Sequence, residues 1–153
     1  MANASPFSHE PYRLQVVETV DSDSLRMLYE SVGWTSYAQD LSALQAAISG
    51  SDYVVTASLD DVLVGLVRAV SDDSSITYLQ DVLVHPEHQR QGLGKRLVDM
   101  VLARYRHVRQ KVLITDGRPE QLKFYTSLGF TNTRFLVDTP LNAFVMIGDR
   151  ELR

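Results

Sequence analysis

The 153 residues contain no cysteine. Disulfide scaffolds, thiolate-bound zinc, iron–sulfur clusters and thiol nucleophiles are thereby excluded. Long apolar runs are missing too. None approaches the roughly 18 residues a bilayer-spanning helix needs, so no membrane partner is expected. Met1-Ala-Asn-Ala-Ser-Pro6 has no cationic segment followed by an apolar core, which argues for a cytoplasmic chain without a secretion signal. Basic residues are outnumbered, 15 Lys and Arg against 19 Asp and Glu, for a formal net charge of -4. Broad affinity for nucleic acid is not expected of such a chain. The Gly-x-Ser-x-Gly elbow of serine hydrolases is also absent.

What is present suits a core of ordinary size: 44% hydrophobic and 22% charged side chains. Residues 1–10, polar and flanked by Pro6 and Pro11, read as a flexible N-terminal arm, and 11–153 as a single domain. Tyr12 to Val17 is β-prone. Asp21-Ser-Asp-Ser offers N-cap residues for a helix through Leu25, Leu28 and Val32 that stops at Gly33. A second helix is expected from about Tyr37 to Ile48, with Gly50 past its end. Tyr53 to Ala57 and Val62 to Val70 flank Ser58-Leu-Asp-Asp61, which suits a hairpin. A third strand of this run, Ile76 to Val84, should stop before Pro86. From Gly92 the period becomes helical, with Leu93, Leu97, Val101 and Tyr105 in one row. A short strand at Val112 to Thr115 precedes a helix from Pro119 to Leu128, and 130–147 reads as two final strands. The order β-α-α-β-β-β-α-β-α-β-β describes an α/β fold with a mixed sheet.

The most informative stretch runs from Leu79 to Lys95, a strand entering a tight turn and then an amphipathic helix. Such a turn leaves several helix-start N–H groups unpaired and pointing one way, and Gly92 and Gly94 let backbone approach a ligand closely. Donors and dipole together favour a pyrophosphate. Two familiar phosphate loops fail on the letters. A P-loop needs Gly at 89 and Ser or Thr at 96, where this chain has Gln89 and Arg96. A dinucleotide fingerprint needs a third glycine where Leu97 stands.

Gln89-Arg-Gln-Gly92-Leu-Gly94 resembles the [Q/R]-x-x-G-x-[G/A] signature of the GNAT superfamily of acetyl-CoA-dependent N-acetyltransferases. Val84-His-Pro86 resembles the V-x-P that ends that family's fourth strand, and Phe124-Tyr125-Thr-Ser-Leu-Gly129-Phe130 its FY-x-x-x-GF motif. The element order is similar as well. The resemblance implies a GNAT-like fold and acetyl-CoA as co-substrate, its diphosphate held by the backbone of Gln89, Arg90, Gln91, Gly92, Leu93, Gly94 and Lys95. Its pantetheine arm would lie along Val82, Leu83 and Val84, on a fourth strand that carries a bulge.

Tyr125 is then the expected general acid, since an unperturbed phenol keeps its proton at neutral pH; the alternative is a core aromatic. Positions where relatives carry a Glu or His base hold Gln80 and Tyr78, so a water relay lined by these two is expected to take the amine's proton. Asp81 is the other candidate base, although strand alternation turns it away unless a bulge intervenes. Trp34 and Tyr37 are candidate acceptor-binding residues, favouring an apolar or aromatic amine; the alternative is a staple between helices. Arg118 replaces an Asn that contacts the cofactor in relatives, and is expected to meet a cofactor phosphate instead.

His85 and His88 lack a third ligand nearby, so no metal is expected. The basic run Arg104 to Lys111 reads as a solvated helix end. The expected partner is a small-molecule amine, acetylated by direct attack in a ternary complex. Alternatives are a protein or peptide amine, or a non-catalytic CoA-binding sensor. A homodimer through the final strands is expected only by analogy with the fold.

Overall fold

The computed structural model describes residues 11–148, so the arm read over 1–10 lies outside the described residues. The chain clusters into two compact units, meeting in sequence at Val112 and Leu113.

The first unit is built on a sheet of β1 (Arg13–Val16), β2 (Tyr53–Leu59), β3 (Val62–Ser71), β4 (Ile76–Val84) and β5 (Gln110–Leu113), in that spatial order. The first four strands pair antiparallel. The β2–β3 turn holds Asp60 and Asp61 at φ 47° and 64°, the left-handed pair that matches hairpin twist. The Gln110 N–H donates to the Ser75 carbonyl at 3.1 Å, so β5 starts beside the start of β4 and runs the same way after a helical crossover.

Between β1 and β2 come α1 (Ser22–Ser31), α2 (Thr35–Gln39) and α3 (Leu41–Ser49). The Asp21 carboxylate caps α1 by accepting from the Ser24 N–H at 2.9 Å, as its position suggested. The single helix expected over 37–48 is two. Asp40 accepts from the Ala43 N–H at 3.0 Å, and a residue that caps a new helix has left the old one. Leu25, Leu28, Tyr29, Leu44 and Ile48 pack with Val54, Leu66 and Leu83 of the sheet into a buried cluster. Helix α4 (Leu93–Arg104) also packs on the sheet, and its sequence-read row Leu93, Leu97 and Val101 is buried, as is Tyr105 just beyond it. The basic end of α4 is tied to the β3–β4 turn, where Asp73 accepts from Arg104 and sits 3.0 Å from His107.

The second unit holds α5 (Pro119–Ser127), with Pro119 in its first turn, and a 3₁₀ turn at Thr133–Phe135. The two strands expected within 130–147 do not form; residues 136–148 have no regular secondary structure. Val137, Phe144 and Met146 are 82%, 92% and 99% exposed, so no sheet face covers them. A β-prone pattern makes a strand only when a neighbour supplies ladder bonds and a packing surface.

Gly65 shows how tightly α4 is seated. A Cβ there would stand 3.1 Å from Leu97 Cδ1 and 3.3 Å from the Leu83 carbonyl oxygen. Replacing Gly65 by Val should destabilise the fold by about 1–3 kcal/mol through overpacking, measured as a lower urea midpoint at unchanged slope.

Candidate functional site

Strand β4 has nine residues and β5 only four. At about 3.3 Å per residue, β5 covers roughly 13 Å of a strand about 30 Å long. Because β5 begins beside Ser75, the far half of β4 keeps β3 on one edge and has no partner from β5 on the other. Val82 and Val84, expected along the pantetheine, are half-buried on this stretch, and Leu83 between them is in the core. An open strand edge offers alternating N–H and C=O groups to an extended chain.

The bulge is present. Register runs Arg68↔Asp81 and then Ala69↔Leu79, so Gln80 is the extra residue on β4. Tyr78 and Gln80 are both half-buried here. Asp81 is 1% exposed, and its Oδ2 accepts from Arg68 Nε at 2.6 Å and from the Tyr29 hydroxyl at 2.7 Å. Arg68 also donates from Nη1 to Ser51 Oγ at 3.3 Å. Burial and the Asp81 charge push the Tyr29 phenol well above its ordinary value, so it stays a donor. Trp34, Tyr37 and Tyr29 have ring centroids 5.9–6.0 Å apart pairwise, so the two candidate acceptor residues sit on the ring that binds Asp81. Trp34 packs on the core cluster, while Tyr37 is 40% exposed.

Past β4, His85 starts a 3₁₀ turn at Pro86–His88, and the chain enters α4 through Gln89-Arg90-Gln91-Gly92. Arg90 and Gly92 have φ of 61° and 80°. Left-handed residues turn successive N–H groups toward a common concavity. No side chain caps α4, and its first intrahelical bond comes from Arg96 to the Gly92 carbonyl, 3.1 Å. The N–H groups of Leu93, Gly94 and Lys95 therefore have no acceptor within the helix. The loop is braced from inside. Gln89 donates to the Val84 carbonyl at 2.9 Å, Gln91 to the Glu87 carbonyl at 3.3 Å, and the Tyr12 hydroxyl donates to Gln91 Oε1 at 2.8 Å. Lys95 pairs with Asp99 at 2.5 Å on the exposed face of α4.

In the second unit, Tyr125 is half-buried between Phe124 and Phe130, ring centroids 5.0 and 5.9 Å away. Burial, with a smaller push from the Asp116 carboxylate, raises its phenol to about 12. Arg118 folds back on Asp116, its Nε and Nη2 lying 2.9 and 2.8 Å from Oδ2. That exposed pair is weak enough to exchange for another anion.

Three residues of this arrangement escaped the sequence reading. Arg68 left a trace, a charge in the apolar strand before that of the candidate Asp81; Tyr12 and Tyr29 left none, because their partners lie 76, 79 and 52 positions away.

A family model described as "Acetyltransferase (GNAT) domain" matches residues 26–137. The uncharacterized N-acetyltransferase ycf52 of Gracilaria tenuistipitata var. liui is 35% identical over 117 residues, covering 72% of this chain and 62% of that protein. The histone acetyltransferase TAP1 of Glycine max is 35% identical over 126 residues, covering 72% of this chain and 52% of its own length. The match thus spans little more than half of these curated relatives. The GNAT family acetyltransferase SP0256 from Streptococcus pneumoniae TIGR4 superposes with a TM-score of 0.79 at 29% identity, covering 91% of this chain and 99% of that one. AAC(6')-Iy, solved with the bisubstrate analogue CoA-S-monomethyl-acetylneamine, shares the fold at TM-score 0.67 and 18% identity over 91% and 98% of the chains.

A Cβ on Gly92 would meet nothing within 4 Å, so this glycine serves backbone conformation and not space. Gly92→Ala should cost about 1–2 kcal/mol of stability for its left-handed φ, read from chemical unfolding.

Proposed function

Because this chain belongs to the GNAT family of acetyltransferases, matched over residues 26–137, we propose that it transfers the acetyl group of acetyl-CoA to a primary amine. The observation that carries the reading is the junction of an open β4 edge with an uncapped α4 start. Along that edge, backbone groups of Val82 and Val84 pair with the pantetheine amides. At the turn, the N–H groups from Gln89 to Lys95 hold the diphosphate, and the helix dipole favours its charge. A β4 N–H directed at the thioester oxygen stabilises the tetrahedral intermediate by a few kcal/mol.

The amine must lose a proton to attack. We assign that proton to water at the half-buried face of Tyr78 and Gln80, since Asp81 Oδ2 already accepts two hydrogen bonds. Tyr125 enters through its motif as the group facing the leaving sulfur. A phenol near 12 is a weaker acid than a thiol near ~8.5, so its contribution is a hydrogen bond to the developing thiolate, with the proton retained. No cysteine is available for a thiol acyl-enzyme, which favours direct attack within a ternary complex.

The acceptor we favour is a small apolar or aromatic amine received by Trp34 and Tyr37. A protein or peptide amine is the second reading, favoured by the 35% identity to a histone acetyltransferase. A cytoplasmic location and a homodimer complete the proposal; fractionation and sedimentation check them.

Mixing the chain with acetyl-CoA and a panel of small amines and peptides should release thiol only when an acceptor is present, and the active class chooses between the readings. Calorimetry that detects no heat with millimolar CoA would overturn the assignment, and CoA binding without acceptor-dependent release would make the chain a sensor. Tyr125→Phe should lower kcat about 10- to 100-fold, the worth of one hydrogen bond to a charged group, leaving KM for acetyl-CoA unchanged. Since the phenol keeps its proton up to about pH 11, wild-type rate should show no Tyr125-dependent fall between pH 7 and 10.

A further inference from the structure

We infer that Tyr29, Asp81 and Arg68 form a positioning network that sets the Trp34–Tyr37 wall against the bulge of β4. The inference rests on the acetyl-transfer reading for what the wall receives, and on the network's own geometry for the rest.

Arg68 and Asp81 are direct cross-strand partners at the last paired position before the register skips Gln80. A charge on each of two adjacent apolar strands is costly to bury, and an apolar pair of the same size would often serve stability as well. What the pair supplies is register. Shift β4 by one residue and Asp81 turns to the other face of the sheet, away from both Arg68 and Tyr29, so the bulge has one place to sit. Tyr29 then carries that position outward. Its hydroxyl is held 2.7 Å from Asp81 Oδ2, and its fully buried ring lies 5.9 Å from Trp34 and 6.0 Å from Tyr37. The Tyr29–Asp81 hydrogen bond thus gives the packed contact between β4 and the aromatic wall of α1 and α2 a fixed direction. The network orients; the proton of the incoming amine goes elsewhere.

Trp34 is the only tryptophan, so its emission reports on the wall without any ligand. Tyr29→Phe removes one hydroxyl and keeps the ring. We expect a shift in Trp34 emission and easier acrylamide quenching, with the far-UV spectrum unchanged. Arg68→Lys keeps the charge but not the fork, and should give a smaller shift of the same sign. In turnover, kcat/KM for the amine should fall about tenfold in Tyr29→Phe, as a misplaced acceptor predicts, with KM for acetyl-CoA held. The acid limb of the pH–rate profile should keep its midpoint in Asp81→Asn.

Unmoved Trp34 emission and quenching in both Tyr29→Phe and Arg68→Lys overturns the inference. So does an Asp81→Asn protein that folds, keeps wild-type Trp34 emission and loses the acid limb, because Asp81 would then be the base. The fluorescence arm decides the network even if the wild-type chain releases no thiol, an outcome that sinks the transfer reading instead.

Discussion

Strand β4 is paired on both edges where it begins and on one edge where it ends, and that inequality governs the site. Backbone N–H and C=O groups must find partners, in protein or in solvent. Among the described residues, a short β5 leaves the far half of β4 without a strand partner on its outer edge, where Gln89 donates to the Val84 carbonyl. The chain then passes through a 3₁₀ turn and Gln89–Gly92 into a helix whose first donors have no acceptors within the helix. Extended donors and acceptors followed by a cluster of donors is the arrangement that an amide-bearing arm ending in a diphosphate needs. The side chains of the turn, Gln89 and Gln91, are spent on bracing it, so in the proposed site recognition falls to the main chain.

A site made of backbone is only as accurate as its register. The buried Arg68–Asp81 pair stands where accuracy matters most, one residue from the bulge. Strand β3 carries Arg68 among apolar residues, so sliding it along β4 would separate a buried ion pair as well as turn its apolar face away from the core. Gly65 acts similarly on the other side of the same strand pair, where a side chain would push Leu97 of α4 away from the sheet. The start of α4 is therefore placed by packing, and the edge of β4 by charge.

The family is established over 26–137, and the fold it shares with proteins as different as SP0256 and AAC(6')-Iy leaves the acceptor open. Folds host many substrates; specificity resides in the walls grafted on them. Here Asp81 of β4 is matched by Arg68 and bonded by Tyr29, whose ring packs with Trp34 and Tyr37 in a cluster with no further charge among the three. That character underlies the proposal of an apolar amine as acceptor.

Local chemistry was legible in the letters. Asp21 as a cap, the paired aspartates of the hairpin, Pro86 ending β4 and the α4 row of Leu93, Leu97 and Val101 all follow from interactions within a few residues, which a sequence displays directly. The glycine turn belongs with them, since φ at Gly92 is a local property. Only tertiary structure decided the rest. The final strands failed to appear because a ladder needs a neighbour. The bulge at Gln80 exists only as a mismatch between two strands, and Tyr12, Tyr29 and Arg68 reach the site across separations of 79, 52 and 13 residues. A pattern along one chain cannot show which distant side chains will meet, because that is settled by how whole elements pack.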